Sequence, residues 1–142
     1  MRASLKIAYI DTDPLVGKLV RAFFKRCRAR LNLEAFDCVG RAVEHLEQHS
    51  SSKPDVIFLD ADMAKSACAD FIISSRHSNP DVPILIVATP DQTKEVATAI
   101  AAGAAAWIDK SPATFLTDLS AQLFARCRDA CSGGCRLKAI AS

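Results

Sequence analysis

Apolar runs of strand length alternate with stretches of helical periodicity along the whole chain, and this alternation constrains the fold more than any other property. The runs Leu5 to Ile10, Val56 to Leu59 and Ile84 to Val87 are the strongest strand candidates, with weaker ones at Leu33 to Cys38 and Ala105 to Ile108. Helical patterns fill the intervals 14–31, 39–49, 67–76, 92–102 and 113–131. The first places Leu15, Leu19, Ala22 and Phe23 on one stripe, and Asp13-Pro14 supplies an N-cap followed by proline at the first helical position. Parallel strands need crossovers, which helices supply, so the pattern predicts an α/β fold: an open, five-stranded parallel sheet with helices on both faces.

A chain of 142 residues, 50% of them apolar, fits one domain with a substantial core. The expected division is a domain over 1–131 and a short tail over 132–142, with no output domain following. Met1 to Lys6 runs into the first strand candidate without the long apolar stretch of a signal peptide. No apolar run approaches the roughly 20 residues of a membrane-spanning helix. These features predict a cytoplasmic protein that does not enter the membrane. The six cysteines are then expected as reduced thiols, with Cys38 a core residue at the end of its strand. Cys127, Cys131 and Cys135 recur every four residues, but Gly133-Gly134 is expected to end the helix before it carries all three. A formal charge of +2 is too small to argue for nucleic acid. The cluster Lys18, Arg21, Lys25, Arg26, Arg28 and Arg30 reads as a solvated helix face. Glu44, His45 and His49 lack a further ligand at metal-binding spacing and read the same way.

Sheets of this kind bind ligands at the carboxyl ends of their strands, near the topological switch point. The candidate strands end at Asp11-Thr12-Asp13, Cys38, Asp60-Ala61-Asp62, Ala88-Thr89 and Asp109-Lys110. Carboxylates from the first and third ends and a lysine from the fifth can converge on one crevice. Hard oxygen ligands suit magnesium and an ammonium neutralises phosphate charge, so the set suits a divalent cation and a phosphoryl group.

In order along the chain, Ile7-Ala8-Tyr9-Ile10-Asp11-Thr12-Asp13-Pro14, Pro54-Asp55-Val56-Ile57-Phe58-Leu59-Asp60, Pro83-Ile84-Leu85-Ile86-Val87 and Ala102-Gly103-Ala104-Ala105-Ala106-Trp107-Ile108-Asp109-Lys110 resemble the receiver domain of bacterial response regulators. The resemblance implies the flavodoxin-like strand order 2-1-3-4-5 and a regulatory phosphoacceptor in a two-component phosphorelay, not an enzyme with a substrate of its own. It implies that Asp60 takes a phosphoryl group from a histidine kinase or phosphotransfer protein, forming an aspartyl phosphate. Asp11 and Asp60, with the main-chain carbonyl of Asp62, would hold magnesium, and Lys110 would pair with the acceptor and then the phosphoryl oxygens. A downstream signalling protein would read the result, without direct contact to nucleic acid or membrane, and a homodimer is compatible with the resemblance.

The sequence departs from the family's pattern at the pocket itself. The second acid of the usual pair is Thr12, a neutral and poorer ligand for a hard cation, so magnesium is expected to bind weakly. Asp13 either turns inward to compensate or caps the first helix, and capping is the simpler role. The strand-end hydroxyl of the family is replaced by Ala88. Thr89 substitutes only if the strand has ended or bulged there. Trp107 occupies the aromatic switch position, and a tryptophan there is equally compatible with plain core. Ala64 and Cys68 stand where proline and glycine are common. Two other readings stay open: a pseudo-receiver that binds partners independently of phosphorylation, and a phosphatase resembling the haloacid-dehalogenase type, with Asp11 as nucleophile and Asp13 as general acid/base. The second lacks a later acid pair after Lys110.

Overall fold

The structure, a computed structural model, describes residues 5–26, 31–48, 53–63, 65–111 and 114–126. Strands and helices alternate strictly: β1 (Leu5–Ile10), α1 (Pro14–Arg26), β2 (Leu31–Phe36), α2 (Val39–Gln48), β3 (Val56–Asp60), α3 (Lys65–Ser78), β4 (Ile84–Ala88), α4 (Thr93–Ala102), β5 (Ala106–Asp109) and α5 (Phe115–Arg126). All strand pairs are parallel, in the order β2-β1-β3-β4-β5. The uninterrupted apolar runs of β3 and β4 are buried at every position, as inner strands covered on both faces require. Among the described residues no helix is long and apolar enough to cross a membrane.

The two-residue period of the strands sorts side chains into two cores. Leu5, Ile7 and Tyr9 of β1, Val56 and Phe58 of β3, Leu85 and Val87 of β4 and Ile108 of β5 pack under Val20 of α1 and Phe115, Leu119 and Leu123 of α5. Ala8, Ile10, Ile57, Leu59, Ile84, Ile86 and Ala88 pack on the other face against Ala42 of α2, Phe71 and Ile72 of α3, and Ala99 of α4. Asp11, Asp60 and Lys110 continue the alternation of Tyr9, Phe58 and Ile108, so parity alone brings them to the same side of the sheet.

Some sequence expectations are corrected. The buried stripe of α1 is Val16, Val20 and Phe23, while Leu15 and Leu19 are 67% and 52% exposed and Ala22 is exposed. The helix is turned so that Gly17 meets the sheet, where an added Cβ would lie 3.4 Å from the Ala35 Cβ. In this phase Gly17 and Val20 face the sheet, and Leu15 and Leu19 are left outside. Leu31 begins β2 and does not end α1, because the β1–β2 register runs from Leu5 opposite Leu31 to Ile10 opposite Phe36. Cys38 consequently falls beyond the strand and is exposed, while Phe36 packs partly against the core. Of the basic cluster, Lys18, Arg21, Lys25 and Arg26 are exposed, and Arg28 and Arg30 lie outside the described residues. So do His49, Ala64, Cys127, Cys131, Cys135 and the expected tail. His45 is half-buried, its ring 5.2 Å from that of Phe36, which makes it a packing residue.

Candidate functional site

β1 and β3 lie side by side at the centre of the sheet and deliver Asp11 and Asp60, 4% and 1% exposed, to neighbouring positions at their carboxyl ends. β5 is the far edge strand, two places from β3, and Lys110 reaches back across β4. Its backbone N–H donates to the carbonyl of Ala88 at 2.8 Å, which anchors the residue just past the strand. The side chain then crosses to the acids: Lys110 Nζ lies 2.6 Å from Asp60 Oδ2 and 3.3 Å from Asp11 Oδ2. Two carboxyl groups and an ammonium thus meet in a site where burial strengthens every charge interaction.

The other carboxylate oxygens are held by main-chain donors. Asp13 N–H donates to Asp11 Oδ1 at 2.9 Å, and Asp62 N–H donates to Asp60 Oδ1 at 3.0 Å. Each acid therefore closes a short turn with the residue two places on, and its rotamer is fixed by the loop that follows its strand.

Charge is unevenly divided between the pair. Burial, followed by the hydrogen bond with Asp60, pushes Asp11 up to about 6, against the opposing pull of the Asp13 N–H and Lys110. Burial pushes Asp60 up too, but hydrogen bonds from Asp11, Asp62 N–H and Lys110 outweigh it and hold Asp60 below its ordinary value. Burial alone would lower Lys110, whereas Asp60 and then Asp11 raise it above its ordinary value. The two acids are thus shifted in opposite directions, Asp11 upward and Asp60 downward.

The remaining expected site residues divide sharply. Asp13 is exposed, and its Oδ1 accepts from Leu15 N–H at 2.9 Å, so it caps α1. Thr12 is exposed. Ala88 is buried in the α2–α4 core. β4 ends there, so Thr89 is free of strand alternation, but its hydroxyl donates to Asp91 Oδ1 at 2.5 Å. Trp107 is 42% exposed on the edge strand, which rules out the plain-core reading. The side chain of Asp62 is exposed and accepts from Gln92 Nε2, while Thr89 N–H donates to Gln92 Oε1 at 2.9 Å.

Three further residues near the acids were given no role in the site by the sequence, Cys68 having been noted only as a departure from the family's pattern. Gln92 bridges the loops after β3 and β4. Cys68 directs its thiol at the main-chain oxygen of Asp60, 3.8 Å away, and burial followed by the Asp60 charge pushes that thiol up to about 11, so it stays protonated. Tyr9 is buried beside the acid cluster with a hydroxyl that has no hydrogen-bond partner among the described residues. Burial, then Asp11, Asp60 and Asp13, raises that phenol above its ordinary value. The signal for Tyr9 was present: it stands two residues before Asp11 on a strand, hence on the same face.

A metal at this site would have few side-chain donors. Among the described residues no group of three or more His, Cys, Asp and Glu side chains is arranged to hold a metal ion. Asp11 and Asp60 are the two buried carboxylates present, a small set of the kind magnesium accepts because it usually keeps several waters.

The chain is similar to known proteins over most of its length. The family model of the response regulator receiver domain matches residues 7–118. A nitrate/nitrite response regulator protein homolog from Haemophilus influenzae is 28% identical over 121 residues, which are 84% of this chain and 57% of that protein, so the chain spans little more than half the relative's length. A two-component response regulator from Clostridium difficile superposes with a TM-score of 0.73 at 19% identity, covering 88% of this chain and 97% of that one. The phosphorylated cyanobacterial phytochrome response regulator RcpA gives a TM-score of 0.76 at 14% identity, covering 89% and 96%. At such identities the structural matches show the fold alone. The family model, spanning both acids and the lysine, shows more: the chain belongs to the response regulator receiver domain family of two-component signalling.

Proposed function

We propose that the chain accepts a phosphoryl group on Asp60, from a phosphohistidine of a histidine kinase or phosphotransfer protein or from a small acyl phosphate, at a site that holds magnesium weakly. The observation that carries this reading is the buried Asp60 with Lys110 Nζ at 2.6 Å and Asp11 beside it. An Asp60 carboxylate oxygen attacks phosphorus as the bond from phosphorus to the donor nitrogen or oxygen breaks. The electron pair leaves with the donor, a histidine nitrogen that takes a proton from solvent or a carboxylate that leaves as the anion, and the product is a mixed anhydride. Lys110, already seated between both acids, turns to the phosphoryl oxygens and offsets their added charge. Asp11, Asp60 and the Asp62 carbonyl would hold magnesium, which supplies further neutralisation when bound. With Thr12 neutral and Asp13 occupied as a cap, the pocket has one acid fewer than the family's pattern, which supports weak metal binding and slow transfer.

Incubation of the whole chain with a small phosphodonor and magnesium, followed by intact mass, tests this. One phosphoryl group should be gained slowly, not at all in Asp60→Ala, and normally in Asp13→Ala. No gain in the folded wild-type chain would overturn the reading. It would favour a pseudo-receiver that binds its partners independently of phosphorylation, which the capping role of Asp13 and the methyl of Ala88 also support. Nothing in the geometry favours the phosphatase reading, because Asp13, its general acid/base, is directed to Leu15 N–H.

A further inference from the structure

The loops that follow β3 and β4 frame the acceptor, and one side chain ties them together. Gln92 has a single amide, and both halves of it are engaged: Nε2 donates to Asp62 Oδ1, and Oε1 accepts from Thr89 N–H at 2.9 Å. The main chain of Gln92 is bonded on both sides as well. Its N–H donates to the Thr89 carbonyl at 3.0 Å, and its carbonyl accepts Val96 N–H at 3.0 Å, at the start of α4. Within Thr89-Pro90-Asp91-Gln92 the glutamine side chain reaches back to the Thr89 N–H, and Gln92 itself stands at the N-cap of α4. On the other side, Asp62 N–H donates to Asp60 Oδ1. Hydrogen bonds joined by the covalent frames of Asp62 and Gln92 therefore link the acceptor carboxylate to Thr89 and the first turn of α4.

This path matters because the hydroxyl that the family places at the end of the fourth strand is missing. Ala88 has no donor, and the Thr89 hydroxyl is tied to Asp91. We propose that Gln92 is a positioning residue that couples the acceptor loop to α4, in the place of the missing strand-end hydroxyl. The inference rests on phosphoryl acceptance at Asp60 for its use, but not for its existence. A new dianionic group on Asp60 changes what Asp62 N–H faces. Any displacement of Asp62 then pulls on the Gln92 amide, which bears at once on Thr89 and on the helix start.

Amide hydrogen exchange and chemical shifts of the unmodified whole chain test the tie itself. Gln92→Leu, similar in length but without the amide, should speed exchange at Thr89 by about tenfold while β1 and β3 are unchanged. Gln92→Glu keeps an acceptor for Thr89 N–H but repels Asp62, so it should leave Thr89 protected while freeing the Asp62 loop. Asp62→Ala should shift the resonances of Thr89 and the first turn of α4, whereas Asp62→Asn, which keeps an acceptor oxygen, should restore them. Unchanged Thr89 exchange in Gln92→Leu, or an Asp62→Ala effect confined to its own loop, would overturn the proposal.

Transmission is tested with magnesium and beryllium fluoride as a mimic of the phosphoryl group. Shifts around Asp60 should reach α4 in the wild type and stop at the β3–α3 loop in Gln92→Leu. If α4 responds equally in the variant, the coupling role is wrong. If the wild type shows no response even at Asp60, phosphoryl acceptance fails, and the exchange experiment still decides whether the tie exists.

Discussion

Asp11 and Asp60 are the same residue type in the same crevice, yet the structure gives them opposite protonation tendencies. Asp11, raised to about 6 mainly by burial, contributes most to stability when protonated, below the ordinary carboxylate range. That contribution is lost as pH rises through about 6. Asp60 has the opposite sign, its contribution present above the ordinary range and lost as pH falls through its depressed value. Asp11→Asn keeps an oxygen for Asp13 N–H and removes the charge the fold disfavours. In metal-free buffer at pH 8 it should raise unfolding stability, on the order of 1 to 3 kcal/mol, and this gain should shrink toward pH 4 in urea titrations. An equal effect at both pH values would contradict the assignment. Thr12 is the other lever at this scale. Thr12→Asp adds the acid that the site lacks, so calorimetric titration should show magnesium binding at least about tenfold tighter.

At the level of elements, α1 shows what sequence periodicity leaves undecided. Leu15-Val16-Gly17-Lys18-Leu19-Val20 carries two overlapping apolar stripes, and propensity does not choose between them. Packing chooses, and it turns Val20 fully inward with Gly17 over Ala35 of β2. Val20→Ala should therefore cost about 2 kcal/mol in denaturant unfolding, whereas Leu19→Ala should stay within about 0.5 kcal/mol. The reverse order would restore the stripe read from the sequence. Asp13→Ala should cost about 1 kcal/mol through loss of the helix cap. β3 and β4 were legible because an uninterrupted apolar run bounded by Pro54-Asp55 and Pro83 has few other uses. The edge strand β2 was displaced by two residues, because its polar and apolar residues follow pairing with β1 more than any pattern of their own.

For the whole molecule, the alternation of strand and helix fixed the sheet, and the sheet placed Asp11, Asp60 and Lys110 together although they are distant in sequence. Those three were legible because strand-end positions follow from the fold. Gln92 was not, since its two partners depend on how the loops after β3 and β4 close over each other, and no spacing rule encodes that. Tyr9 shared parity with Asp11 but reads as an ordinary aromatic core residue until its orphaned hydroxyl is seen beside the acids. On the proposed function, a site short of one acid and one hydroxyl still uses Asp60 as its nucleophile. Borohydride reduction after exposure to a small phosphodonor and magnesium converts an aspartyl phosphate to homoserine, which peptide mapping locates. Homoserine at position 60, and at no other position, is the expected result; homoserine at position 11, or none from a folded protein, would contradict it.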